Sequence, residues 1–351
     1  MSTSKSTKSS NKRANKAKSS RRSGKIKAST MAIALLAVFV IIVCAAFVMP
    51  NLSSVANESY ADEVTDENMD AQADTLYKQP LDVNIWTIDY EQQAQPKLKR
   101  NGVSQQLLKH SAYSTSYNTE YKVPNWCFYE LTLSETLGRL PRSNNFQPDP
   151  EVKSGNSAQL TDYRGSGYDR GHMAPSMDFN WDESIEDESY YLSNMCPQSH
   201  DFNSGIWLDL EQQVRRWAER DSAICVACGP VLPVKDKKSN KLINPVTGKD
   251  YHITTIGRSK VLVPEYFFKV ILSPFGKHPK AIGFLMPHEN VQRRDGRGNA
   301  PVKDFAVPID SIEALTGIDF FAILPDDIED RIEAHYLYDD WFKKSSNYRK
   351  Y

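Results

Sequence analysis

The chain has few cysteines, and they are not arranged for cross-linking. Five occur in 351 residues, and the only close pair is Cys225 and Cys228. Their spacing fits redox or zinc chemistry, but they lie in an apolar run that predicts a buried strand, where they would point to opposite faces. No second Cys/His pair stands nearby at ligand spacing. We predict small core residues here, with metal or redox use as the alternative, and leave open whether Cys127 and Cys196 pair.

A surplus of basic residues is also lacking. The formal net charge is -1, and residues 78–351 contain 33 basic and 37 acidic side chains. Nucleic-acid-binding proteins usually carry a basic excess, so the overall charge argues weakly against such a partner. Cationic groups for a phosphate-rich ligand would have to be gathered locally. The hydrophobic content of 40% and the charged content of 25% are typical of globular proteins.

Long apolar runs are absent except for one, at residues 31–49. This uncharged run is long enough to span a hydrocarbon core. Ten basic residues precede it and seven acidic residues follow it before residue 78, a bias that predicts a cytoplasmic N-terminus. We predict a transmembrane signal anchor, with a signal peptide cleaved near Cys44-Ala45-Ala46 as the alternative. Either way the rest of the chain is expected to be extracytoplasmic, membrane-anchored or secreted.

The composition therefore divides the chain into four segments. Residues 1–30 are predicted to be a disordered, basic cytoplasmic tail, because they have almost no apolar content. The tail serves as a membrane-topology signal or, alternatively, binds nucleic acid. Residues 31–49 form the anchor or signal peptide, residues 50–77 an acidic linker, and residues 78–351 a folded domain.

The folded domain mixes strands and helices without regular alternation. Short β-branched or aromatic runs predict strands at Trp126–Leu133, Ala223–Leu232, Tyr266–Leu272 and Ile282–Met286. Helices are predicted at Ser204–Arg220, Ser311–Thr316 and Asp326–Lys344. This order favours one α+β domain built on a mixed, mostly antiparallel sheet flanked by helices.

The residues with the clearest chemical character are Asp169-Arg170-Gly171-His172-Met173-Ala174-Pro175. An imidazole titrates near neutral pH, so His172 is a candidate general base. Gly171 permits a close backbone approach. The Ala-Pro pair that follows breaks regular structure, which predicts that His172 lies at a strand end or in a loop, where catalytic groups tend to occur.

The predicted helix after this motif carries a second group of polar residues. At 100° per residue, Asn203, Trp207, Glu211 and Arg215 would lie within a sector of about 120°. The adjacent stripe, from Ile206 to Trp217, is apolar and would face a core. An asparagine cap with an ordinary Glu–Arg pair is the structural alternative.

These residues together resemble a known family. The segment from Tyr168 to Ser176 is similar to the signature of the DNA/RNA non-specific endonucleases, of the ββα-metal (His-Me finger) superfamily. The similarity continues in consistent order over roughly residues 115–335, through segments that surround Trp126, Arg142, Asn194, Asn203, Cys228, Lys269 and Phe321. The resemblance implies a ββα-metal nuclease domain over residues 78–351.

The resemblance also implies a role for each matching residue. His172 resembles the base that activates water, and Asn203 the single direct protein ligand of Mg²⁺, for which Mn²⁺ can substitute. Glu211 resembles the carboxylate that orients a water of the metal's shell, and Asn194 an amide that supports the site. Arg170, Arg142 and Arg215 resemble the cations near the phosphate. Asp169 we expect to be structural, and we assign no role to Met173 or His200.

The function implied is hydrolysis of phosphodiester bonds in DNA and RNA, with 5′-phosphate ends. Little sequence preference is expected, because such a site contacts backbone phosphate rather than base edges. A surface protein that binds nucleic acid without turnover is the alternative, and a phosphodiesterase acting on small nucleotides ranks last. The sequence does not indicate an oligomeric state, an inhibitor or a preference between DNA and RNA.

Overall fold

A computed structural model describes residues 94–275 and 278–342. The predicted tail (1–30), anchor or signal peptide (31–49) and linker (50–77) lie outside the described residues, as does the start of the domain predicted at 78–351. Among the residues that are described, no helix has both the length and the apolar character needed to cross a membrane.

Short strands run through the whole described region. In chain order they are β1 (Lys97–Leu98), β2 (Gln106–Lys109), β3 (Ser114–Asn118), β4 (Val123–Thr132), β5 (Asp169–His172), β6 (Met195–Gln198), β7 (Ala223–Pro230), β8 (Val234–Lys235), β9 (Leu242–Ile243), β10 (Thr255–Ile256), β11 (Val261–Leu262), β12 (Tyr266–Ser273), β13 (Lys280–Pro287), β14 (Ala306–Val307) and β15 (Ile318–Asp319).

Seven of these strands form the central sheet of the described region, in the order β14-β13-β12-β7-β4-β3-β2. Every neighbouring pair in it is antiparallel. The expected α+β class with a mostly antiparallel sheet is therefore confirmed. The four predicted strands are β4, β7, β12 and β13, whose apolar runs are buried nearly throughout. The edge strand β2 and its neighbour β3 were not predicted, because β2 contains only two consecutive leucines between polar residues and β3 consists mainly of polar residues.

Helices cover both faces of the sheet. They are α1 (Leu160–Tyr163), α2 (Glu183–Glu188), α3 (His200–Asn203), α4 (Ile206–Asp221), α5 (Ile309–Thr316), α6 (Asp326–Ala334) and α7 (Tyr338–Phe342), with 3-10 turns at Glu135–Leu137, Ser176–Asp178, Leu192–Asn194 and Val302–Phe305.

The two faces of the sheet bury separate cores. Alternation along β12 sends Phe267 and Ile271 to one face, where they pack with the apolar stripe of α4 and with the segment after β5. Phe268 and Val270 point to the other face and pack with apolar residues of α5 and α6. We call these the α4 face and the α5–α6 face. Their separation keeps the residues of the signature motif on one side of the sheet.

The helix predicted at Ser204–Arg220 is α4, which begins two residues later, at Ile206, and ends at Asp221. Asn203, expected on the first turn of this helix, lies outside it, at the end of the short helix α3. A Cβ at Gly205 would lie 2.2 Å from the carbonyl oxygen of Asp201, so the abrupt change of direction between the two helices requires glycine. Trp207, expected beside Asn203, is buried in the core of the α4 face.

The other two predicted helices differ less. The helix predicted at Ser311–Thr316 begins two residues earlier, at Ile309 after Pro308, and ends at Thr316, before the left-handed Gly317. The prediction at Asp326–Lys344 was wrong as one helix, because His335 is extended and separates α6 from α7.

The cysteines behave as small core residues. Cys225 packs in the core of the α5–α6 face and Cys228 in that of the α4 face, as the strand pattern predicted. The cysteines at positions 127, 196, 225 and 228 are buried and free, so Cys127 and Cys196 do not pair.

Candidate active site

A two-stranded hairpin presents the signature motif. β5 and β6 pair antiparallel, with His172 opposite Met195 at the end of β5. The expectation that His172 lies at a strand end is confirmed. A Cβ at Gly171 would lie 2.0 Å from the side-chain oxygen of buried Gln198, so this tight pairing leaves no room for a larger residue. The hairpin is followed by α3 and α4, which gives a strand–strand–helix unit.

His172 is held in an almost closed aromatic pocket. Its ring centroid lies 5.6 Å from that of Phe146 and 5.0 Å from that of Tyr190, and the residue is only 8% exposed. Its backbone carbonyl accepts a hydrogen bond of 3.3 Å from the indole of Trp207. The Nε2 atom is buried and has no hydrogen-bond partner among the described residues. The site thus orients the imidazole while leaving one ring nitrogen available.

Two exposed guanidinium groups flank this pocket. The Arg170 guanidinium stacks 3.9 Å from the ring centroid of Phe146, and the Arg142 Nε donates to the Tyr190 hydroxyl at 3.1 Å. Burial, reinforced by the charges of Arg142 and Arg170, lowers the pKa of His172 to about 3. His172 is therefore neutral at neutral pH, and a neutral imidazole can accept a proton.

A cleft of about 410 Å³ opens in front of the hairpin. It is lined by Arg142, Phe146, Leu160, Tyr163, Arg164, Tyr168, Asp169, Arg170 and Asn203. Three of these side chains carry guanidinium groups, so positive charge is gathered here although the chain as a whole has no basic surplus. A cleft of this size can accommodate a nucleotide unit.

Asn203 faces this cleft at the end of α3. Its Nδ2 donates 3.1 Å to Oδ2 of Asp169, so the amide oxygen is the atom left to bind a ligand. The same Asp169 oxygen contacts Nδ1 of His200 at 2.9 Å. Asp169 therefore fixes the rotamer of Asn203. This contact is consistent with the structural role expected of Asp169.

Glu211 lies on α4 in a partly buried position behind the cleft. Burial raises its pKa to about 7, the charge of Lys269 opposes the shift, and Asp178 adds to it. Arg215, one turn further along α4, donates 3.0 Å to Oδ1 of Asp178. The Tyr129 hydroxyl donates 2.8 Å to the other Asp178 oxygen. Arg215 is thus held in the wall of the site and does not line the cleft.

Asn194 is completely buried, away from the cleft. Its Nδ2 donates 2.8 Å to the carbonyls of Ala174 and Ser189, and its Oδ1 accepts 2.9 Å from the Ala174 amide. Its backbone carbonyl accepts from the Met173 amide at 3.0 Å. The residue fixes the segment that follows His172.

The structure brings His172, Arg142, Arg170 and Asn203 to one place, and sets Glu211, Arg215 and Asn194 around it. Sequence reasoning gave no role to Lys269, which is fully buried on β12. Its Nζ donates 3.5 Å to the Met173 carbonyl and lies 4.6 Å from the ring centroid of Trp207. A lysine inside the apolar run of β12 was the signal that could have revealed it.

The donor chemistry of the cleft fits a hard divalent cation. The amide oxygen of Asn203 and the carboxylate of Asp169 are oxygen donors, which Mg²⁺ and Mn²⁺ prefer. No group of three His, Cys, Asp or Glu side chains converges at the cleft; within the described ranges such a group is found only at Asp310, Glu313 and Glu333. A cation in the cleft would therefore have few protein ligands, as suits Mg²⁺, which retains much of its water.

Comparison with known proteins places the chain in a family. The model of the DNA/RNA non-specific endonucleases matches residues 93–327. The chain is 32% identical over 219 residues to mitochondrial nuclease EXOG of Mus musculus, covering 61% of this chain and 56% of that protein. It is 33% identical over 228 residues to nuclease C1 of Cunninghamella echinulata var. echinulata, covering 63% of this chain and 84% of that one.

A solved structure supports the same assignment. The crystal structure of the EndoG/EndoGI complex matches with a TM-score of 0.54 and 34% identity, covering 62% of this chain and 86% of the matched chain. The resemblance inferred from the signature motif is confirmed: the chain belongs to the DNA/RNA non-specific endonuclease family.

The comparisons correct the predicted location. Nuclease 1 of Schizosaccharomyces pombe, 34% identical over 233 residues with 64% of this chain and 68% of that protein covered, is a mitochondrial nuclease by name, as is mouse EXOG. The extracytoplasmic, membrane-anchored or secreted location was inferred from the apolar run at residues 31–49 and from the charges on either side of it. That prediction was wrong, because these relatives are mitochondrial nucleases by name.

Proposed function

We propose that this member of the DNA/RNA non-specific endonuclease family hydrolyses phosphodiester bonds inside DNA and RNA strands, with a divalent cation and a histidine-activated water. The observation that carries the proposal is the setting of His172. Its neutral imidazole has an unpartnered Nε2 and packs against Phe146, which lines the cleft together with Arg142, Arg170 and Asn203. This arrangement supports the proposal of a base next to a site for an anion.

In the proposed reaction His172 accepts a proton from the attacking water at Nε2. The low pKa of the ring keeps it unprotonated before the reaction. As a phosphate enters, its negative charge offsets the charges of Arg142 and Arg170, which raises the proton affinity of the ring at the moment that it is needed. Substrate binding and base strength are therefore coupled.

Arg142 and Arg170 bind and neutralise the phosphate. Their forked guanidinium groups match phosphate oxygens, and the aromatic rings of Tyr190 and Phe146 hold them in place. Because these contacts go to the backbone, DNA and RNA should both be substrates, with little sequence preference.

Asn203 would hold the cation through its amide oxygen, with Asp169 fixing the amide. Mg²⁺, or Mn²⁺ in its place, supplies positive charge that stabilises the transition-state phosphate and the leaving 3′-oxygen. The water oxygen bonds to phosphorus as the P–O3′ bond breaks, so one product ends in a 5′-phosphate and the other in a 3′-hydroxyl that has taken up a proton from solvent. Glu211 orients water near the cleft, Arg215 positions Asp178 and the wall behind it, and Asn194 positions the segment after His172.

A direct assay tests this function. Purified full-length protein is incubated with supercoiled plasmid and, separately, with single-stranded RNA, in Mg²⁺ or in EDTA. We expect both substrates to be degraded in Mg²⁺ and neither in EDTA, with products that polynucleotide kinase labels only after phosphatase treatment. A mobility shift that persists in EDTA, without cleavage under any divalent metal, would place the protein among non-catalytic binders.

The Asn203→Ala variant tests the metal assignment in the same assay. Loss of the only direct ligand should weaken activity and shift the Mg²⁺ titration to higher concentration, by about 10- to 100-fold. Gln212→Ala, which removes an exposed amide side chain from α4 without straining the backbone, is a control outside the cleft. A Mg²⁺ titration of Asn203→Ala that overlays that of the wild type would reject Asn203 as the ligand.

A further inference from the structure

A cluster of carboxylates lies on the α5–α6 face, on the opposite side of the sheet from the cleft. Asp310 and Glu313 stand one turn apart on α5, and Glu333 lies near the end of α6. One ligand atom from each of the three side chains lies within 4.8 Å of the other two. Oxygens that bind one Ca²⁺ at about 2.3–2.6 Å can be no more than about 5 Å apart, so the cluster already has the dimensions of a cation site.

Glu333 has an unpartnered atom inside this cluster. The residue is only 4% exposed, and its buried Oε1 has no hydrogen-bond partner among the described residues. A buried polar oxygen without a partner is costly. An oxygen-seeking cation would supply the missing interaction.

The charges around Glu333 are of the wrong sign for an ionised carboxylate. Burial and the charges of Glu313, Glu329, Asp310 and Asp319 raise the pKa of Glu333 to about 10. Lys99, whose side chain is 68% exposed, lies 2.6 Å from Asp319. His335 contributes a favourable charge at Asp310. Among the described residues, the largest electrostatic influences on Glu333 itself are all negative charges.

The cluster is also held open to solvent at one end. The backbone amide of Phe320 donates 2.7 Å to Oε1 of Glu313, which fixes that carboxylate, while Asp310 is exposed. A cation could enter beside Asp310 and complete its shell with water.

We propose that Asp310, Glu313 and Glu333 form a binding site for a divalent cation, for which Ca²⁺ is the best match, and that the cation joins α5 to α6. Ca²⁺ takes six to eight oxygens in flexible geometry and tolerates a mixture of carboxylates and water. The site is structural: it lies on the face of the sheet that does not carry the cleft. Its affinity should resemble that of other partly open carboxylate sites, about 10⁻⁴–10⁻³ M.

Thermal unfolding of the full-length protein tests the proposal. The wild type is freed of metal with a chelator and then scanned with and without saturating Ca²⁺. At about 100 times Kd, binding to the folded state alone should raise Tm by about 5 °C or more. Glu333→Gln, which keeps the shape and removes the charge, should abolish this rise. Asp327→Asn, an exposed residue of α6 outside the cluster, should retain it.

Two further variants make the result unambiguous. Asp310→Asn removes the exposed ligand and should also lose the Ca²⁺-dependent rise, so the proposal stays testable if Glu333→Gln folds poorly. Asn203→Ala should keep the full rise, because the cleft is a separate site. An unchanged Tm of the wild type in Ca²⁺ raised to about 100 times the expected Kd, an equal rise in Glu333→Gln, or a rise that disappears in Asn203→Ala would each overturn the proposal.

Discussion

Each face of the central sheet buries a titratable side chain whose charged form is disfavoured: a histidine on one face and a glutamate on the other. On the α4 face, His172 lies beside Arg142 and Arg170, and its pKa is lowered to about 3. On the α5–α6 face, Glu333 lies among carboxylates, and its pKa is raised to about 10. In both places burial and like charges keep the group neutral until a ligand of opposite charge arrives.

The two faces differ in the reaction that the neutral side chain can undergo. A neutral imidazole among guanidinium groups can accept a proton once an anion has offset them. A carboxyl group among carboxylates can only release its proton to bind a cation. The first arrangement suits turnover, and the second suits a fixed structural ion. Four predictions separate these roles.

The largest effect is expected on the α4 face, from His172→Ala. Loss of a general base costs typically 10²–10⁴-fold in rate, and the fold should remain because the change removes only part of a pocket wall. Cleavage of plasmid in Mg²⁺ measures the rate, and circular dichroism checks the fold. His252→Ala, at an exposed position outside the cleft, should cleave like the wild type. Near-normal turnover of His172→Ala would remove His172 as the base.

A smaller effect is expected from Arg170→Met. Removing one positioned cation should slow cleavage by about 10²-fold. Because Arg170 helps to lower the pKa of His172, the acid limb of the pH–rate profile should also move to higher pH. Arg258→Met, at an exposed position outside the cleft, is the matched control. If the acid limb does not move, Arg170 does not influence the pKa of His172.

The α5–α6 face should dominate the pH dependence of stability in metal-free solution. The pKa of Glu333 is raised above its ordinary value of 4.5, so the folded state retains a proton that the unfolded state has lost. Its contribution to stability is present at low pH and is lost as the pH rises from about 5 towards 10. Between about pH 5 and pH 8 the loss should be about 4 kcal/mol, because the folded state holds nearly one extra proton over this range, at about 1.36 kcal/mol per pH unit.

Glu333→Gln should remove this contribution. We expect a flatter dependence of unfolding free energy on pH, measured by urea denaturation in EDTA at several pH values. Asp327→Asn should leave the slope unchanged. A slope in Glu333→Gln equal to that of the wild type would show that the carboxyl group does not titrate as its surroundings indicate. The contribution of His172 to stability has the opposite pH dependence. Because its pKa is lowered in the folded state, the folded protein loses stability as the pH falls below 6.5.

The smallest effect is expected from Lys269→Met. Lys269 contacts the Met173 carbonyl and the Trp207 ring and lies outside the cleft, so it acts through the position of its neighbours. Turnover should fall by about tenfold with little change in KM. Lys269→Arg should recover part of the rate. A rise in KM alone would place Lys269 in substrate binding instead.

Much of the candidate site could be predicted because its residues are close in sequence. Asp169, Arg170 and His172 share one short strand, and Glu211 and Arg215 share one helix, so spacing alone places each set. The contacts that complete the site are long-range: Arg142 donates to Tyr190, whose ring packs against His172, and Lys269 on β12 contacts the carbonyl of Met173. Sequence spacing carries no information about such contacts.

The acidic cluster on the α5–α6 face could not be predicted from the sequence for a similar reason. Asp310, Glu313 and Glu333 are ordinary acidic residues on two amphipathic helices, and only the packing of those helices brings them together. The division of α3 from α4 was missed because Gly205 can continue a helix as well as end one. The packing against Asp201 decides between the two.

Chemical rescue of His172→Gly tests the central claim most directly. The variant leaves a cavity beside the cleft, and free imidazole is added during plasmid cleavage in Mg²⁺. If His172 is the base, cleavage by the variant should be slow without imidazole and should increase with imidazole, following the unprotonated fraction of that base as the pH is raised. Cleavage at the wild-type rate without imidazole would contradict the account.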